Sequence, residues 1–391
     1  MSGSGLGGRA AIAGIGQTDF SKDSGRTELR LACEATLAAL TDAGLHPSDV
    51  DGFVTSTLDT TEEMDLARNL GVRALSMFSR VPYGGGAPAG MVMQAAMAVA
   101  TGVADVVVCY RAFNERSGAR FGSFGGQMGG GLPLWLSWYA PFGHLSPANW
   151  VALHAHRYMD TYGVTNADFA PIAVVDRAHA ATNPDAWFYG RPITVADHQA
   201  SRWIVEPVLR LLDCCQESDG GVAIVVTSAE RARDLRQTPA VITAAVQGAT
   251  FDGETMTSYY RDDLTGLPEM GVVGDRLWRD SGLTPADIDT AYLYDHFTPF
   301  VLMQLEELGF CGRGEAKDWA TVERLSLGGE FPINTNGGLL GEAYIHGMNG
   351  VAEAVRQVRG TSVNQVANVE NVLATAGTGV PTSALILHPD R

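Results

Sequence analysis

The stretch NTNGGLLGEAYIHGMNG, residues Asn334–Gly350, decides the fold of this 391-residue chain. It ends in a glycine-led segment after Gly347 that predicts a helix, and an apolar strand is predicted near Val372. The same order occurs near the amino terminus, where a glycine-led helix after Gly90 precedes a strand at Val106. Two α/β units of one pattern indicate a duplicated fold.

A second pair of similar segments strengthens the case for duplication. GLHPSDVDGFV begins at Gly44, and GLTPADIDTAY begins at Gly282, about 240 residues later. Each follows a predicted helix, each places a proline in a turn, and each leads into an apolar run that predicts a strand. We therefore predict an α/β protein built from two similar halves.

Strands and helices alternate along most of the chain. The predicted elements are strands at Ala11–Gly16, Val50–Ser56 and Ala104–Tyr110, and helices at Glu28–Ala43 and Pro88–Thr101. The region 113–201 is rich in Gly, Trp, Tyr and His and breaks this rhythm, which indicates an inserted loop or cap. The rhythm resumes at Ala240. We predict an amino-terminal half at 1–238, with the insertion 113–201 inside it, and a carboxyl-terminal half at 239–391.

Composition limits the class of partner. Lys and Arg total 27 against 44 Asp and Glu, which gives a formal net charge of −17. Because nucleic acid requires a basic surface, it is not expected as a partner. The apolar runs are shorter than the roughly 20 residues of a membrane span, and the first residues lack the apolar segment of a signal peptide. A cytoplasmic protein is expected.

The cysteines are interpreted as small buried side chains. They are Cys33, Cys109, Cys214, Cys215 and Cys311. Their number is odd and no Cys-x-x-Cys pair occurs, so neither a disulfide framework nor a zinc site is expected. His154 and His156 are two residues apart in a predicted helix and point to different faces, so no metal site is expected there either.

Three motifs give a resemblance to a known family. They are ESDGGVAIVV (Glu217–Val226), YDHFTPF (Tyr294–Phe300) and the opening stretch Asn334–Gly350. With the duplicated halves and the long insertion, they resemble the thiolase superfamily over nearly the whole chain. The likeness is greatest to its lipid-transfer-protein-like branch, and within it to the steroid side-chain-cleaving aldolases. The resemblance implies a layered α/β/α/β/α core and a homodimer.

The departures from the thiolase pattern carry the functional hypothesis. The position of the nucleophilic thiolase Cys falls near Gly85 in VPYGGGAPAG, which contains no Cys, Ser or Thr. The His of the thiolase Gly-His-Pro motif aligns with Tyr344, and the Asn or His of the other motif aligns with Tyr294. The second thiolase Cys falls at about Ala374 or Thr375. Covalent acyl transfer therefore lacks its nucleophile. The two tyrosines indicate a site whose catalytic residues have been replaced to suit another reaction.

The resemblance implies an aldolase that splits a β-hydroxyacyl-CoA by a retro-aldol reaction. The expected substrate is a 17-hydroxy steroid side-chain CoA thioester, and the products are a 17-keto steroid and propionyl-CoA. Tyr294 and Tyr344 are the predicted acid–base residues. Either a cation lowers the pKa of one phenol, or the pair relays a proton; which tyrosine is the base stays open. His296 and His346 are supporting candidates, and strand spacing favours His296 beside Tyr294.

The thioester oxygen needs hydrogen-bond donors as the enolate forms. The predicted donors are the backbone N–H groups of Gly85, Gly377 and Gly379. Coenzyme A is expected as part of the substrate, with no tightly bound cofactor. Three arginines after a predicted strand end are candidates for the CoA phosphates: Arg111, Arg116 and Arg120.

The resemblance also implies a separate partner protein built from an OB-fold and a zinc ribbon, because this sequence contains no such module. Two other functions are compatible with the same motifs. One is a non-catalytic acyl-CoA or lipid carrier subunit with the thiolase fold. The other is a degenerate acetyl-CoA acyltransferase that uses a thiol elsewhere in the chain.

Overall fold

The computed structural model describes residues 5–118, 120, 134–254, 258–377 and 382–390. Its strands are β1 (Ala10–Gln17), β2 (Gly52–Ser56), β3 (Met77–Val81), β4 (Val106–Asn114), β5 (Trp203–Val205), β6 (Leu209–Arg210), β7 (Asp219–Ser228), β8 (Ala240–Gly248), β9 (Thr290–Tyr292), β10 (Val372–Ala376) and β11 (Thr382–Pro389). The central strands are apolar at nearly every position, as expected of strands covered on both faces.

One mixed sheet contains nine of the strands found in the described ranges. Its order is β3-β2-β4-β7-β1-β8-β11-β10-β9. β2 runs parallel to β3 and β4, and β9 runs parallel to β10. A short antiparallel contact between β1 and β8, in which Ala11 lies opposite Val241, joins the two parts of the sheet. β5 and β6 form a separate hairpin.

The strand order repeats on either side of the β1–β8 contact. One side runs β1-β7-β4-β2-β3, and the other runs β8-β11-β10-β9, where Ile333 adds a single parallel bridge to Ala291 of β9. Gly44 and Gly282 each end a helix, with φ values of 77° and 72°. Each is followed by a 3₁₀ turn that leads into β2 or β9. The duplicated α/β fold is thus confirmed.

Helices cover both faces of the sheet. They are α1 (Glu28–Ala43), α2 (Glu63–Leu70), α3 (Pro88–Ala100), α4 (Leu134–Ser137), α5 (Pro147–Tyr162), α6 (Ala170–Thr182), α7 (Val195–Ala200), α8 (Ala229–Arg233), α9 (Pro268–Ser281), α10 (Thr298–Glu307), α11 (Ala316–Trp319), α12 (Val322–Leu325), α13 (Gly338–Gly341) and α14 (Met348–Arg359). In the described part of the chain, none of them is both long and apolar enough to cross a membrane.

The helices form three layers. α1 packs on β1, β4 and β7 from one outer side, and α9 packs on β8 and β11 from the other. α3 and α14 contact strands of both parts of the sheet and lie between them. The layers therefore follow the α/β/α/β/α order, with the two sheet regions alternating with three helical layers.

Three hydrophobic clusters correspond to these layers. In β4, Val107 and Cys109 belong to the central cluster, whereas Val106 and Val108 belong to the outer cluster under α1. Successive residues of a strand point to opposite faces. A strand between two helical layers therefore needs apolar residues at every position, which explains the continuous apolar run of β4.

The predicted elements are confirmed, with ends that differ by a few residues. β4 continues to Asn114, so the first residues of the predicted insertion 113–201 still belong to a strand. Helices α4 to α7 follow β4, and the assignment of 113–201 as an insertion stays a prediction. The glycine-rich run FGSFGGQMGGG lies outside the described residues. The bounds 1–238 and 239–391 stay predictions.

Two buried carboxyl groups tie α6 to the segment after β9. Asp176 and Asp295 are both fully buried, and their carboxyl groups are hydrogen bonded to each other. Asp295 also accepts the backbone N–H groups of Leu339 and Leu340 at 2.9 and 3.0 Å. Burial raises the pKa of Asp176 well above its usual range and that of Asp295 to about 6. The pair therefore retains a proton at neutral pH.

This retained proton predicts a pH-dependent stability. The unfolded chain releases it near pH 4, whereas the folded protein holds it to higher pH, so stability is lost as pH rises between the two pKa values. One such proton lowers the free energy of unfolding by about 1.4 kcal/mol per pH unit. Asp176→Asn keeps a donor for Asp295 and removes the titration. We expect urea denaturation to show a slope with pH that is shallower by about this amount.

The matched change is Asp65→Asn, which alters an exposed carboxylate paired with Arg68. It should leave the slope as in the unchanged protein. If Asp176→Asn also leaves the slope unchanged, the pair holds no proton at neutral pH.

Candidate active site

Two tyrosine hydroxyls meet at the predicted site. The Oη atoms of Tyr294 and Tyr344 lie 2.9 Å apart, within hydrogen-bond distance. Tyr294 follows β9 and is 2% exposed, whereas Tyr344 lies in the loop between α13 and α14 and is half-buried. Phenols joined in this way can pass a proton from one to the other.

A glycine leaves the room that the hydroxyl of Tyr294 occupies. A Cβ atom on Gly85 would lie 2.2 Å from Tyr294 Oη, far inside van der Waals contact. Gly85 lies just before α3, which begins at Pro88. A cysteine at position 85 would therefore collide with the tyrosine. The absence of a side chain at Gly85 and the presence of Tyr294 therefore belong together.

A second glycine approaches the same loop. A Cβ atom on Gly377 would lie 2.3 Å from the Cα of Gly86 and 2.9 Å from the carbonyl carbon of Gly85. Gly377 also has a φ of 69°, which favours glycine. The structure thus brings together two of the three predicted backbone donors, Gly85 and Gly377. The third, Gly379, lies outside the described residues.

The backbone of Tyr294 is fixed on both sides. Its N–H donates to Thr375 Oγ1 at 2.9 Å, and its carbonyl accepts Nε2 of Gln304 at 2.8 Å. Thr375 in turn donates to Gln304 Oε1 at 2.7 Å. The N–H of Leu293 donates to Asn334 Oδ1 at 2.8 Å. Thr375 and Gln304 therefore hold Tyr294 in place.

A buried carboxyl group organises the loop that carries Tyr344. Glu342 accepts the side-chain amides of Asn336 and Asn349, the latter at 2.8 Å. Burial raises the pKa of Glu342 to about 7. The N–H of Tyr344 donates to Ser218 Oγ at 3.1 Å. Hydrogen bonds among Asn336, Glu342 and Asn349 thus hold the stretch at 334–350 while the tyrosine is presented to the site.

Both predicted supporting histidines contact a tyrosine ring. The ring centroids of His296 and Tyr294 are 4.9 Å apart, and those of His346 and Tyr344 are 4.8 Å apart. β9 ends at Tyr292, so both histidines lie in loops. The expected contact of His296 with Tyr294 is present, although the strand from which it was predicted has already ended. Burial lowers the pKa of His296 to about 3 and that of His346 well below its usual value, so both rings are neutral near pH 7.

An arginine expected at the CoA phosphates lies inside the site instead. Arg111 is 2% exposed; its Nη1 lies 2.8 Å from Asp59 Oδ1, and its Nε donates to His346 Nδ1 at 3.0 Å. It cannot reach a phosphate on the surface, so this expectation is wrong for Arg111. Sequence reasoning gave Arg111 a different role and did not single out Asp59. The available signal was a charged residue directly after the apolar run of a central strand.

Burial keeps the tyrosine pair protonated. It raises the pKa of both phenols well above 10. For Tyr294, the hydrogen bond with Tyr344 acts in the opposite direction but is the smaller effect. A tyrosine that is deprotonated at rest and stabilised by a neighbouring cation does not fit this environment. Of the two routes that the sequence left open, the proton relay is favoured.

The thiols do not provide a substitute nucleophile. All five cysteines belong to the described residues, and none occupies the position of Gly85. Cys109 is fully buried in β4, and the N–H of Cys215 donates to the carbonyl of His296 at 2.9 Å. Burial raises the pKa of every one of the five thiols. Because the thiolate is the nucleophile, this counts against the acyltransferase alternative.

Gly85→Ala should lower turnover although it removes no functional group. The added methyl would overlap the hydroxyl of Tyr294 and force it away from Tyr344. A displacement of about 1 Å of a catalytic group typically costs 10²-fold in rate. We expect a loss of about that size in kcat for a β-hydroxyacyl-CoA substrate, measured by product formation.

The control is Gly274→Ala in α9, where the new Cβ would meet Leu308 Cδ2 at 3.2 Å, away from the site. It should leave kcat unchanged. Full activity of the Gly85→Ala variant would show that the position of the Tyr294 hydroxyl does not matter.

Comparisons with known proteins agree with this geometry. Residues 252–388 match a family model described as thiolase C-terminal domain-like. A steroid side-chain-cleaving aldolase of Thermomonospora curvata is 66% identical over 389 residues, which cover 99% of each chain. A 17-hydroxy-3-oxo-4-pregnene-20-carboxyl-CoA lyase of Mycobacterium tuberculosis is 64% identical over 385 residues, 98% of this chain and 100% of the relative.

Solved structures give the same picture. A structure described as an Ltp2-ChsH2(DUF35) aldolase is 65% identical, with a TM-score of 0.94 over 99% of this chain and 100% of that chain. Human mitochondrial 3-ketoacyl-CoA thiolase is 14% identical, with a TM-score of 0.71 over the full length of both chains, and shows the shared fold. The chain belongs to the steroid side-chain-cleaving aldolases, a family built on the thiolase fold.

Proposed function

We propose that this enzyme cleaves a 17-hydroxy steroid side-chain CoA thioester into a 17-keto steroid and propionyl-CoA. The name of the Mycobacterium tuberculosis relative, which specifies a 17-hydroxy steroid carboxyl-CoA, supports this substrate class. The observation that carries the proposal is the pair of hydroxyls of Tyr294 and Tyr344 at 2.9 Å, at a position where thiolases hold other catalytic groups.

The reaction balances without a cofactor. A base takes the proton of the substrate hydroxyl, and the oxygen electron pair becomes the new ketone as the adjacent carbon–carbon bond breaks. The electrons of that bond form the enolate of the thioester. A proton returned to the enolate carbon completes propionyl-CoA. One proton is removed and one is returned, so neither oxidant nor reductant takes part, and coenzyme A enters as part of the substrate.

Tyr294 and Tyr344 are proposed to carry this proton. Both phenols are neutral in the folded protein because burial raises the pKa of each. A phenol that loses its proton as it receives another from its partner never holds a full charge in a buried site. A relay through the 2.9 Å hydrogen bond therefore costs less than a free tyrosinate.

The backbone is proposed to bind the thioester oxygen. Gly85 and Gly377 lie against each other next to Tyr294, and Gly379 is a further candidate donor. Gly85 also precedes α3, whose amino-terminal N–H groups carry a partial positive charge. Donors fixed in advance stabilise an enolate more than the neutral thioester, because charge develops on the oxygen during bond cleavage.

We further propose a homodimer that works with a separate OB-fold and zinc-ribbon partner in the cytoplasm. The description of the 65% identical structure names a second component beside the aldolase, which supports a partner. All five cysteines are free thiols, which fits a reducing compartment. The proposed halves are 1–238 and 239–391, with 113–201 as a cap over the site.

Tyr294→Phe and Tyr344→Phe should each lose most of the activity and stay folded. The change removes one hydroxyl and keeps the ring, so packing is nearly preserved. A lost proton-transfer group costs about 10²–10⁴-fold in kcat, whereas a lost structural hydrogen bond costs about 1 kcal/mol of stability. Because one proton path uses both residues, the double variant should be little slower than the slower single variant.

The matched control is Tyr158→Phe. The buried hydroxyl of Tyr158 bonds to Glu306 of α10, and Tyr158 belongs to a different hydrophobic cluster from Tyr294. It should lower the melting temperature and leave kcat intact. Turnover of the steroid thioester is followed as release of propionyl-CoA. If both site variants keep near-normal kcat, the relay is wrong and the carrier function gains support.

A further inference from the structure

A buried chain of polar groups runs from Asp59 through Arg111 to His346. Asp59 and Arg111 are each 2% exposed and His346 is 5% exposed. Arg111 Nη1 lies 2.8 Å from Asp59 Oδ1, and Arg111 Nε lies 3.0 Å from His346 Nδ1. Asp59 also accepts the N–H of Ala112 at 3.1 Å and the hydroxyl of Ser56 at 2.9 Å. The carboxylate is thus held through both oxygens, and it holds the guanidinium.

This chain fixes the protonation of His346. A guanidinium only donates hydrogen bonds. His346 Nδ1 therefore accepts from Arg111, and the single ring proton lies on Nε2. As long as Arg111 occupies Nδ1, the ring cannot gain a second proton there. Burial and the charge of Arg111 act in the same direction on the pKa of His346, and both lower it.

The backbone fixes the orientation of the same ring. His346 has a φ of 47°, a conformation that is uncommon outside glycine, and such strain concentrates at functional sites. A Cβ atom on Gly84 would lie 2.6 Å from His346 Cε1, so the ring edge rests against the glycine loop. The other neighbour is Tyr344, at 4.8 Å between ring centroids. The imidazole therefore lies between the glycine loop and a tyrosine of the proposed relay.

We propose that Asp59 and Arg111 are positioning residues of the aldolase, which hold His346 as a neutral Nε2–H donor for the negative oxygen that develops as the carbon–carbon bond breaks. This inference rests on the proposed retro-aldol function and adds three residues to it. His346 acts as a donor and not as the base.

A structural role alone does not account for the arginine. A buried ion pair contributes little more stability than apolar side chains of similar size, because both charges must leave water. β4 is a central strand in which apolar residues serve packing well. The other groups that face His346 are Tyr344 on its own loop and His296 after β9, both of which are neutral. Arg111 is thus the charged neighbour, with Asp59 as its counter-ion.

The first test is Arg111→Met, read by kinetics and by NMR of ¹⁵N-histidine-labelled enzyme. In the unchanged protein, His346 should show the Nε2–H pattern from about pH 6 to about pH 8 without titrating. In the variant, Nδ1 is released, so the resonance should titrate or change tautomer. We expect kcat to fall on the order of 10²-fold, with KM within about threefold, and a new acid limb in the pH profile.

The second test is His346→Asn, which guards against a folding defect. Asparagine tolerates a positive φ and keeps an acceptor for Arg111, but it lacks the Nε2–H donor. It should lose kcat to a similar extent, and it assigns the His346 resonance by its absence. Combining it with Arg111→Met should cost no more than His346→Asn alone, because Arg111 acts through His346. Arg111→Lys, which keeps a charged donor, should recover part of kcat.

The matched control is Arg359→Met. Arg359 is also buried and lies 2.7 Å from Asp42, but it sits at the far end of α14, about 18 Å along the helix from the site. It should lower stability and leave the pH profile and the His346 resonance unchanged.

The outcomes separate this inference from the proposed function. If the unchanged enzyme cleaves the steroid thioester but Arg111→Met keeps its kcat, or keeps the His346 tautomer, the inference is overturned and the function stands. If the unchanged enzyme does not cleave the thioester, the proposed function fails, whatever the NMR spectra show.

Discussion

The close approach between Gly85 and the hydroxyl of Tyr294 is the constraint on which the chemistry of this protein depends. A Cβ atom at position 85 would lie 2.2 Å from that oxygen. A nucleophilic side chain before α3 and a tyrosine after β9 therefore exclude each other by volume alone. The absence of a side chain at Gly85 and the presence of Tyr294 are therefore sterically linked in this protein.

Burial then determines how protons move. Around the hydroxyl pair the phenols and imidazoles are neutral, since the low polarity of the interior disfavours their charged forms. The fixed charges of the network, Asp59 and Arg111, are paired with each other. In such surroundings a step that separates charge is expensive, and a step that passes a proton along a hydrogen bond is not. The same lack of polarity strengthens each fixed donor that faces the enolate oxygen.

The sequence revealed the fold through local rules. Gly44 and Gly282 end helices because the left-handed conformation suits glycine, and β4 is apolar throughout because helices cover both its faces. The meeting of Tyr294 and Tyr344 could be predicted by alignment with two thiolase motifs. The role of Arg111 could not, because its partners Asp59 and His346 are distant in sequence and belong to different loops. His296 lies beside Tyr294 as predicted, but in a loop, because β9 ends at Tyr292.

A thiolase fold is well suited to this exchange because both reactions pass through a thioester enolate. The parts proposed to serve the enolate are backbone groups at Gly85 and Gly377 and the amino end of α3, and these depend on the fold more than on any side chain. The parts proposed to differ are the side chains that move protons. Thr375 and Gln304 hold the backbone of Tyr294, and Glu342 binds the side-chain amides of the loop that carries Tyr344. Since none of these supports bonds to a tyrosine hydroxyl, the side chains at 294 and 344 can change without loss of the supports. The division of labour between a fixed backbone and exchangeable side chains is what lets one fold carry out two chemistries.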